Sequence, residues 1–226
     1  MNERIDNLLL GLDENELIEV PALACRVHRQ IVDPLLFLQA RAASAGFDLA
    51  VASSYRSFER QLLIWNNKVR GLRPVLNDKG EAIDINRLTD RDKVFAILRW
   101  SALPGASRHH WGSDIDVYDR SAIDANYQLQ LTLEETQTGG PFAAFHRWLS
   151  DELILGNSGF FRPYALDKGG IAPEPWHLSY APLAQEFSRR FTPDILLRQL
   201  EQAELELKQV VCDNLDEIYQ RFICVE

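Results

Sequence analysis

Two short windows of this sequence contain residues that could bind a metal ion and move protons. Residues 107–116 include two histidines and two aspartates, and residues 174–177 read Glu-Pro-Trp-His. A catalytic zinc ion takes three protein ligands of the histidine or carboxylate type and keeps one position open for water. His109, Asp116 and His177 can supply that set. The two windows therefore predict a site for one Zn²⁺ ion.

Glu174 and Arg56 could complete a hydrolytic site around such an ion. Pro175 argues against a helix interior, so the second window differs from the helical HExxH arrangement. An extended segment places Glu174 and His177 on opposite faces, and only a bend near Pro175 lets them share one site. With that bend, Glu174 can act as general base and later protonate the leaving amine. The Arg56 guanidinium can bind a substrate carboxylate or stabilise an oxyanion.

The elements around these windows favour an α+β fold. Residues 48–53 are short, apolar and compatible with a strand that leads into the loop carrying Arg56. Residues 113–118 alternate so that Asp114 and Asp116 lie on one face of another strand. We expect a small antiparallel sheet that carries the zinc site, packed against helices, with extra helices at the C-terminus.

We divide the chain into three segments of one globular domain. Apolar residues recur at three- and four-residue spacing from Pro21 to Gly46, and we expect residues 1–47 to form an N-terminal helical segment packed on the core. Residues 48–181 form the predicted core with the zinc site, and residues 182–226 a C-terminal helical extension. The extension has one apolar stripe and acidic other faces. We expect the stripe to pack on the domain, and a homodimer contact through these helices is the alternative.

Composition excludes several classes of partner and site. The net charge is −9, and no run of basic residues is longer than Arg189-Arg190, so nucleic acid is not an expected partner. Cys25, Cys212 and Cys224 form no CxxC pair, which argues against a disulfide framework or a cysteine zinc site. Neither an export signal nor a membrane segment is visible. We therefore expect a cytoplasmic protein, with action in the periplasm or cell envelope left open.

Three blocks of the sequence together resemble a known enzyme family in order and spacing. The blocks are Ser54-Tyr55-Arg56-Ser57 with Gln61, then Ser107-x-His109-x-x-Gly112-x-x-x-Asp116, then Glu174-x-Trp176-His177. They closely resemble the D-alanyl-D-alanine carboxypeptidases of the VanY type. These belong to the zinc peptidases that include VanX-type D,D-dipeptidases and phage L-alanyl-D-glutamate endopeptidases. The resemblance spans about residues 50–180.

The resemblance implies an activity and a role for each matched residue. By position, the zinc ligands fall on His109, Asp116 and His177, the catalytic base on Glu174 and the substrate arginine on Arg56. The other implied substrate-binding residues are Tyr55, Gln61, Ser107 and Trp176. The implied reaction is hydrolysis of the terminal D-Ala-D-Ala bond of peptidoglycan stem peptides by zinc-activated water. A D,D-dipeptidase or an L-alanyl-D-glutamate-type endopeptidase on muropeptides is the alternative, and a non-catalytic zinc-stabilised binding module is less favoured.

Two residues of the first window have competing interpretations. His110 is the main rival of His109 as a ligand, and the motif alignment assigns His110 to the surroundings of the ion or to the pocket rim. Asp114 stands where the family has a small residue. It either holds a ligand histidine or faces solvent from its strand, and the usual exposure of aspartate favours solvent.

Overall fold

A computed structural model of the protein describes residues 3–224. Its α-helices are α1 (Glu3–Leu9), α2 (Val32–Ser44), α3 (Phe58–Val69), α4 (Asp90–Leu98), α5 (Leu133–Thr136), α6 (Ala143–Leu155), α7 (Ala181–Arg190), α8 (Pro193–Gln202), α9 (Lys208–Asp213) and α10 (Leu215–Ile218). Its strands are β1 (Leu17–Val20), β2 (Cys25–His28), β3 (Leu49–Ser53), β4 (Val75–Leu76), β5 (Ala82–Ile83), β6 (Asp114–Asp119), β7 (Phe160–Phe161) and β8 (His177–Tyr180). The α+β class predicted from the sequence is confirmed.

A four-stranded antiparallel sheet with the order β3-β6-β8-β7 is the part of the fold that positions the predicted site. Asp116 pairs with Ser53 on one side and with His177 on the other. Asp114 lies opposite Ser179 in the same register. Residues two apart on a strand share a face, so the two aspartates of β6 and the two paired residues of β8 come together.

The N-terminal region differs from the helical segment predicted for residues 1–47. Strands β1 and β2 form an antiparallel hairpin, and the long helix of this region begins only at Val32. In β2, the buried Cys25 and Val27 flank the half-buried Arg26, which is strand alternation. The four-residue interval from Val27 to Ile31 spans the junction between this strand and the following helix. Because the four-residue apolar spacing continues across that junction, the sequence pattern resembled that of one continuous helix.

Helix α3 begins at a serine N-cap and attaches the C-terminal segment to the core. The Ser57 hydroxyl accepts the Arg60 N–H at 3.2 Å and satisfies a donor that the first turn leaves free. On its buried side, Trp65 Nε1 donates to the Glu206 carbonyl at 3.1 Å. The Asn66 side chain accepts the Glu206 N–H at 2.9 Å. These bonds hold the connection between α8 and α9 against α3.

The hydrophobic core contains side chains from all three predicted segments, among them Leu35, Ile115 and Leu196. The C-terminal apolar stripe packs into this core, as the intramolecular interpretation expects. Its buried members include Ile195, Leu196, Leu200, Val211, Leu215 and Ile218. No large hydrophobic side chain of residues 182–224 is exposed. A homodimer contact through these helices stays a prediction. Among residues 3–224, no helix combines the length and apolarity needed to cross a membrane.

Candidate metal centre

His109, Asp116 and His177 converge on one point at the centre of the sheet face. His109 lies in the 3₁₀ turn Arg108–Trp111 that leads into β6, Asp116 lies in β6, and His177 begins β8. One ligand atom from each residue lies within 4.8 Å of the other two. His109 Nε2 is 3.4 Å from Asp116 Oδ2, and His177 Nδ1 is 3.2 Å from Asp116 Oδ1.

These three residues fit a zinc ion by spacing, burial and donor type. Ligands about 2.0–2.1 Å from a tetrahedral ion lie about 3.3 Å from one another. The contacts of His109 and His177 with Asp116, one to each carboxylate oxygen, are close to that length. Within the described residues, Asp116 Oδ1 and His177 Nδ1 are buried without a hydrogen-bond partner. Buried polar atoms are almost always satisfied, so this pair of atoms indicates a bound ion. Two imidazoles and one carboxylate are a donor set that zinc accepts.

Hydrogen bonds outside the triad fix which nitrogen of each histidine faces the ion. His109 Nδ1 lies 2.9 Å from the Ser54 carbonyl oxygen and donates to it, which leaves the Nε2 lone pair for metal. His177 Nε2 lies 3.0 Å from Asp114 Oδ1 and donates to it, which leaves Nδ1 for metal. Such partners set the tautomer and the orientation of a ligand imidazole.

Asp114 is buried behind His177, so the expectation that it faces solvent is wrong. Its side chain is 0% exposed and accepts hydrogen bonds from Arg108 Nε at 2.8 Å and from Ser113 Oγ at 2.5 Å. Ser179 Oγ donates to it at 3.1 Å and accepts from Arg108 Nη2 at 2.6 Å. Burial disfavours ionisation of Asp114, but Arg108 and His177 outweigh it and lower the pKa of Asp114 to about 2. The arginine therefore permits a buried carboxylate at a position where exposure statistics predict a surface residue.

Negative charge is concentrated around His177. Burial disfavours the charge of Asp116, yet the neighbouring His109 and His177 lower the pKa of Asp116. Burial likewise opposes a charge on His177, whereas the hydrogen bond to Asp114 and the nearby carboxylates of Asp116 and Glu174 raise the pKa of His177 well above its ordinary value. Three carboxylates around one imidazole form the electrostatic environment that a divalent cation requires.

Glu174 reaches the site through a bend near Pro175, as a site shared with His177 needs. The His177 N–H donates to the Glu174 carbonyl at 3.1 Å, which closes a turn around Pro175. Glu174 Oε2 then lies 3.4 Å from His177 Nδ1, and its side chain keeps 16% exposure. The carboxylate therefore stands beside the metal position and is open to the cleft, where a general base must be.

Arg56 is held in place by a buried amide. Its Nη1 donates to Gln61 Oε1 at 2.9 Å, and its Nη2 donates to Ser53 Oγ at 3.0 Å. Gln61 is 0% exposed, and its Nε2 donates to the Ala102 carbonyl at 2.6 Å. Gln61 was expected to bind substrate, but in this geometry it orients the arginine and reaches no solvent. Burial lowers the pKa of Arg56 despite the nearby carboxylates of Asp116 and Glu174.

His110 is not available as a metal ligand, because both of its ring nitrogens are used. Nδ1 donates to the Arg56 carbonyl at 2.6 Å, and Nε2 accepts the Gly105 N–H at 3.0 Å. Burial lowers the pKa of His110 to about 3, so the ring is neutral. It packs against Gly11, which has φ +77°, and a Cβ there would lie 2.5 Å from Nδ1. His110 therefore ties the Arg56 backbone to the ligand-bearing turn and does not lie at the pocket rim.

The triad faces a cleft of about 320 Å³. Glu174 and Arg56 line it with the predicted substrate-binding residues Ser107 and Trp176. Tyr55 lines an adjoining cavity of about 620 Å³, and its hydroxyl donates to the Gly11 carbonyl at 3.2 Å. Contacts of Ser107, Trp176 and Tyr55 with substrate remain predictions.

Sequence reasoning did not identify the residues behind the ligands. Arg108 and Ser179 hold Asp114, and the buried Tyr164 contacts the His177 ring edge-on, with ring centroids 4.9 Å apart. Ser179 is two residues after His177 in β8, and residues two apart in a strand lie on the same face. A strand assignment for this segment would therefore have placed Ser179 on the face of the ligands. Arg108 gave no local signal except its charge beside a ligand.

Known proteins are similar to this chain in sequence or in structure. An uncharacterized protein of Haemophilus influenzae is 46% identical over 99 residues, which are 42% of this chain and 68% of that protein. The structure of a vancomycin-resistance D,D-pentapeptidase VanY from a VanB-type cassette, in complex with Zn(II), is similar with a TM-score of 0.50 and 25% identity. That similarity covers 87% of this chain and 89% of the other. A VanYB structure in complex with D-alanine-D-alanine has a TM-score of 0.50 and 24% identity over 81% and 88% of the two chains.

The match to a family model covers most of the chain. The model describes VanY D-alanyl-D-alanine carboxypeptidases, and it matches residues 24–183, which contain the triad, Glu174 and Arg56. The chain belongs to the VanY family of peptidases.

Proposed function

We propose that the protein is a zinc-dependent D,D-carboxypeptidase that removes the terminal D-alanine from peptidoglycan stem peptides. The observation that carries the proposal is a Glu174 carboxylate beside a His-Asp-His centre, in a cleft that also contains Arg56. Two relatives of the same fold support it, since one binds Zn(II) and the other D-alanine-D-alanine. The coexistence of base and ligands disfavours a non-catalytic binding module.

The chain's own residues account for the proton transfers of this hydrolysis. Zinc held by His109, Asp116 and His177 would polarise the scissile carbonyl and make water more acidic. Glu174 takes a proton from the attacking water as the C–O bond forms. It then gives that proton to the amine nitrogen as the C–N bond breaks, so one water is consumed for each D-alanine released.

Arg56 binds the free carboxylate of the substrate in this proposal. Gln61 and Ser53 already hold its guanidinium, so little conformational entropy is lost when the carboxylate binds. Asp116 and Glu174 are the nearest carboxylates that act on its charge, and both face the metal position. The peptide end is therefore anchored beside the base, which orients the last peptide bond over the ligands.

Product analysis on defined peptides tests this function. The protein is stripped with a chelator, reloaded with zinc and incubated with a pentapeptide that ends in D-Ala-D-Ala. We expect release of one D-alanine only after reloading. Hydrolysis of free D-Ala-D-Ala instead would indicate a D,D-dipeptidase, and cleavage within the peptide would indicate an endopeptidase.

The Glu174→Gln variant separates catalysis from metal binding. Because the ligands are untouched, we expect one zinc per chain, measured by atomic absorption. We expect turnover to fall by about a thousand-fold, because the proton acceptor is gone. A Glu174→Gln protein that retains turnover would remove Glu174 from the mechanism.

A further inference from the structure

Four basic side chains gather along one wall of the cleft. Arg60, Ile64 and Lys68 are spaced by four residues on α3, so they share one helix face. Arg56 precedes the helix and Arg73 follows it. The span from Arg60 to Lys68 is about 12 Å along the helix axis. A protein of net charge −9 therefore presents a local band of positive charge beside its metal centre.

The charges of this band are not matched by carboxylates inside the described part of the protein. Many other arginines are, as Arg70 is by Glu206 at 2.6 Å. Within residues 3–224, neither Arg60, Lys68 nor Arg73 has a carboxylate within ion-pairing distance. Arg60 and Arg73 are exposed and Lys68 is half-buried. Unmatched like charges repel one another, so the arrangement costs stability unless an external anion offsets it.

The basic residues act on one another electrostatically. Burial first, and then the charges of Arg73 and Arg56, lower the pKa of Lys68 to about 8, while Glu174 opposes the shift. Arg60 and Arg73 likewise disfavour the charge on Arg56. These effects require the four cations to lie near one another and near the catalytic glutamate.

The band connects two cavities. Ile64, Arg56 and Arg73 line both the inner cleft with the metal ligands and the outer cavity of about 620 Å³. Lys68 borders only the inner cleft and Arg60 only the outer cavity. A bound molecule that begins at the metal centre can therefore continue along the whole basic band.

Other groups along this path agree with an anionic occupant. Trp100 lines the inner cleft, and its buried Nε1–H has no acceptor among the described residues. Such an unsatisfied donor favours an acceptor atom of a ligand. The carboxylate of Glu14 also lines the outer cavity, but it is already paired with Arg26 at 2.5 Å. The basic band thus keeps its charge for a ligand.

We propose that Arg60, Lys68 and Arg73 form an anion subsite that extends the substrate cleft beyond Arg56. The subsite selects peptides that carry a second carboxylate in addition to the terminal one, so this inference rests on the proposed function. An extended peptide advances about 3.3–3.6 Å per residue. The third and fourth residues from the C-terminus therefore lie about 7–10 Å from the terminal residue, within the length of the band.

Matched peptides that differ only in one charge test the subsite. Two pairs end in D-Ala-D-Ala and carry either glutamate or glutamine at the third or at the fourth residue from the C-terminus. Their affinity is measured by calorimetry on the zinc-loaded Glu174→Gln protein, and kcat/KM is measured on the active enzyme. At one of the two positions we expect the glutamate peptide to bind about ten-fold more tightly than its glutamine partner.

The same ratio in two variants identifies the residues responsible. In the triple variant Arg60→Gln, Lys68→Met, Arg73→Gln, we expect the ratio to fall to about 1, because the charged partners are gone. Arg70→Gln is the matched control, since Arg70 follows the same helix and pairs with Glu206 outside the cleft. It should keep the ten-fold preference.

The outcomes distinguish this inference from the proposed function. The subsite would be overturned if the glutamate and glutamine peptides bound equally well at both peptide positions to the protein that keeps Arg60, Lys68 and Arg73. It would also be overturned if the preference for glutamate were unchanged in the triple variant. Hydrolysis of the glutamine peptides by the active enzyme tests the carboxypeptidase activity separately. A charge preference in binding without turnover of any peptide would support the subsite and overturn the proposed function.

Discussion

Two groups of residues at the cleft, one behind His177 and one along helix α3, differ in how their charges are paired. We call Arg108, Asp114 and Ser179, behind His177, the back wall. We call the basic residues Arg60, Lys68 and Arg73 the front wall. Every charge of the back wall is buried and paired within the protein. The charges of the front wall have no carboxylate partner among the described residues and line open cavities.

This difference separates positioning from recognition. A buried charge is tolerated only when partners satisfy it, and those partners hold it in one geometry. The back wall can therefore fix the orientation of a ligand imidazole. A charge left unmatched in an open cleft keeps its capacity to bind something outside the protein. The charges of the front wall have no carboxylate partner within residues 3–224. For that reason they add nothing to the stability of the fold, and they can bind an external anion.

The largest expected effect comes from breaking the back wall at Arg108. Arg108→Met keeps the contact over Trp111, where the guanidinium now lies 4.8 Å from the ring centroid, but leaves the Asp114 carboxylate buried without its arginine. We expect the free energy of unfolding to fall by about 3–5 kcal/mol. Urea unfolding of the metal-free protein measures it.

The double variant Arg108→Met, Asp114→Ala is the control for this prediction. Because it removes both charges, it should recover a large part of the lost stability. If the single variant is as stable as the original protein, the back wall is not held together by charge pairing.

A smaller effect, on zinc affinity, is expected when Asp114 alone is replaced. Asp114→Ala removes the acceptor of His177 Nε2, so the imidazole loses its orientation and part of its basicity. We expect zinc affinity to fall by about 10–100-fold, measured by competition with a chromophoric chelator. Asp48→Ala, which breaks an exposed pair with Arg120 at 2.8 Å, should leave zinc affinity unchanged. If the unaltered protein, Asp114→Ala and Asp48→Ala all bind zinc with equal affinity, Asp114 has no role at the metal.

The smallest effect is expected in the front wall. Lys68→Met removes a half-buried cation that has only cationic neighbours and one carboxylate, Glu174, near it. We expect the free energy of unfolding to stay the same or rise by up to about 1 kcal/mol, measured by urea unfolding. A clear loss of stability would show that Lys68 has a structural partner and would weaken the contrast between the walls.

Much of the candidate site could be predicted because its chemistry restricts residue types locally. Only histidine and carboxylate side chains in the two windows could serve zinc, and the three predicted ligands do lie together. A site shared by Glu174 and His177 likewise needed a bend near Pro175, and a turn joins these two residues. The strand at residues 48–53 followed from a short-range pattern.

The features that sequence reasoning missed depend on contacts between distant segments. Strand register puts Asp114 opposite Ser179, and only the insertion of Arg108 makes burial of that aspartate acceptable. The hairpin β1–β2 was missed because the spacing of its apolar residues continues without interruption into that of the next helix. The front wall could not be foreseen, because the spacing of Arg60 and Lys68 defines a helix face but not what that face borders.

Short-range sequence was therefore sufficient to predict the three residues that lie together and the fold class, since these follow from residue type and local periodicity. Tertiary packing alone decided that His177 turns its Nδ1 toward Asp116, that both ring nitrogens of His110 are used and that Gln61 contacts Arg56. Each of these depends on a hydrogen-bond partner brought close by strand pairing or helix docking. No pattern within either window specifies those partners.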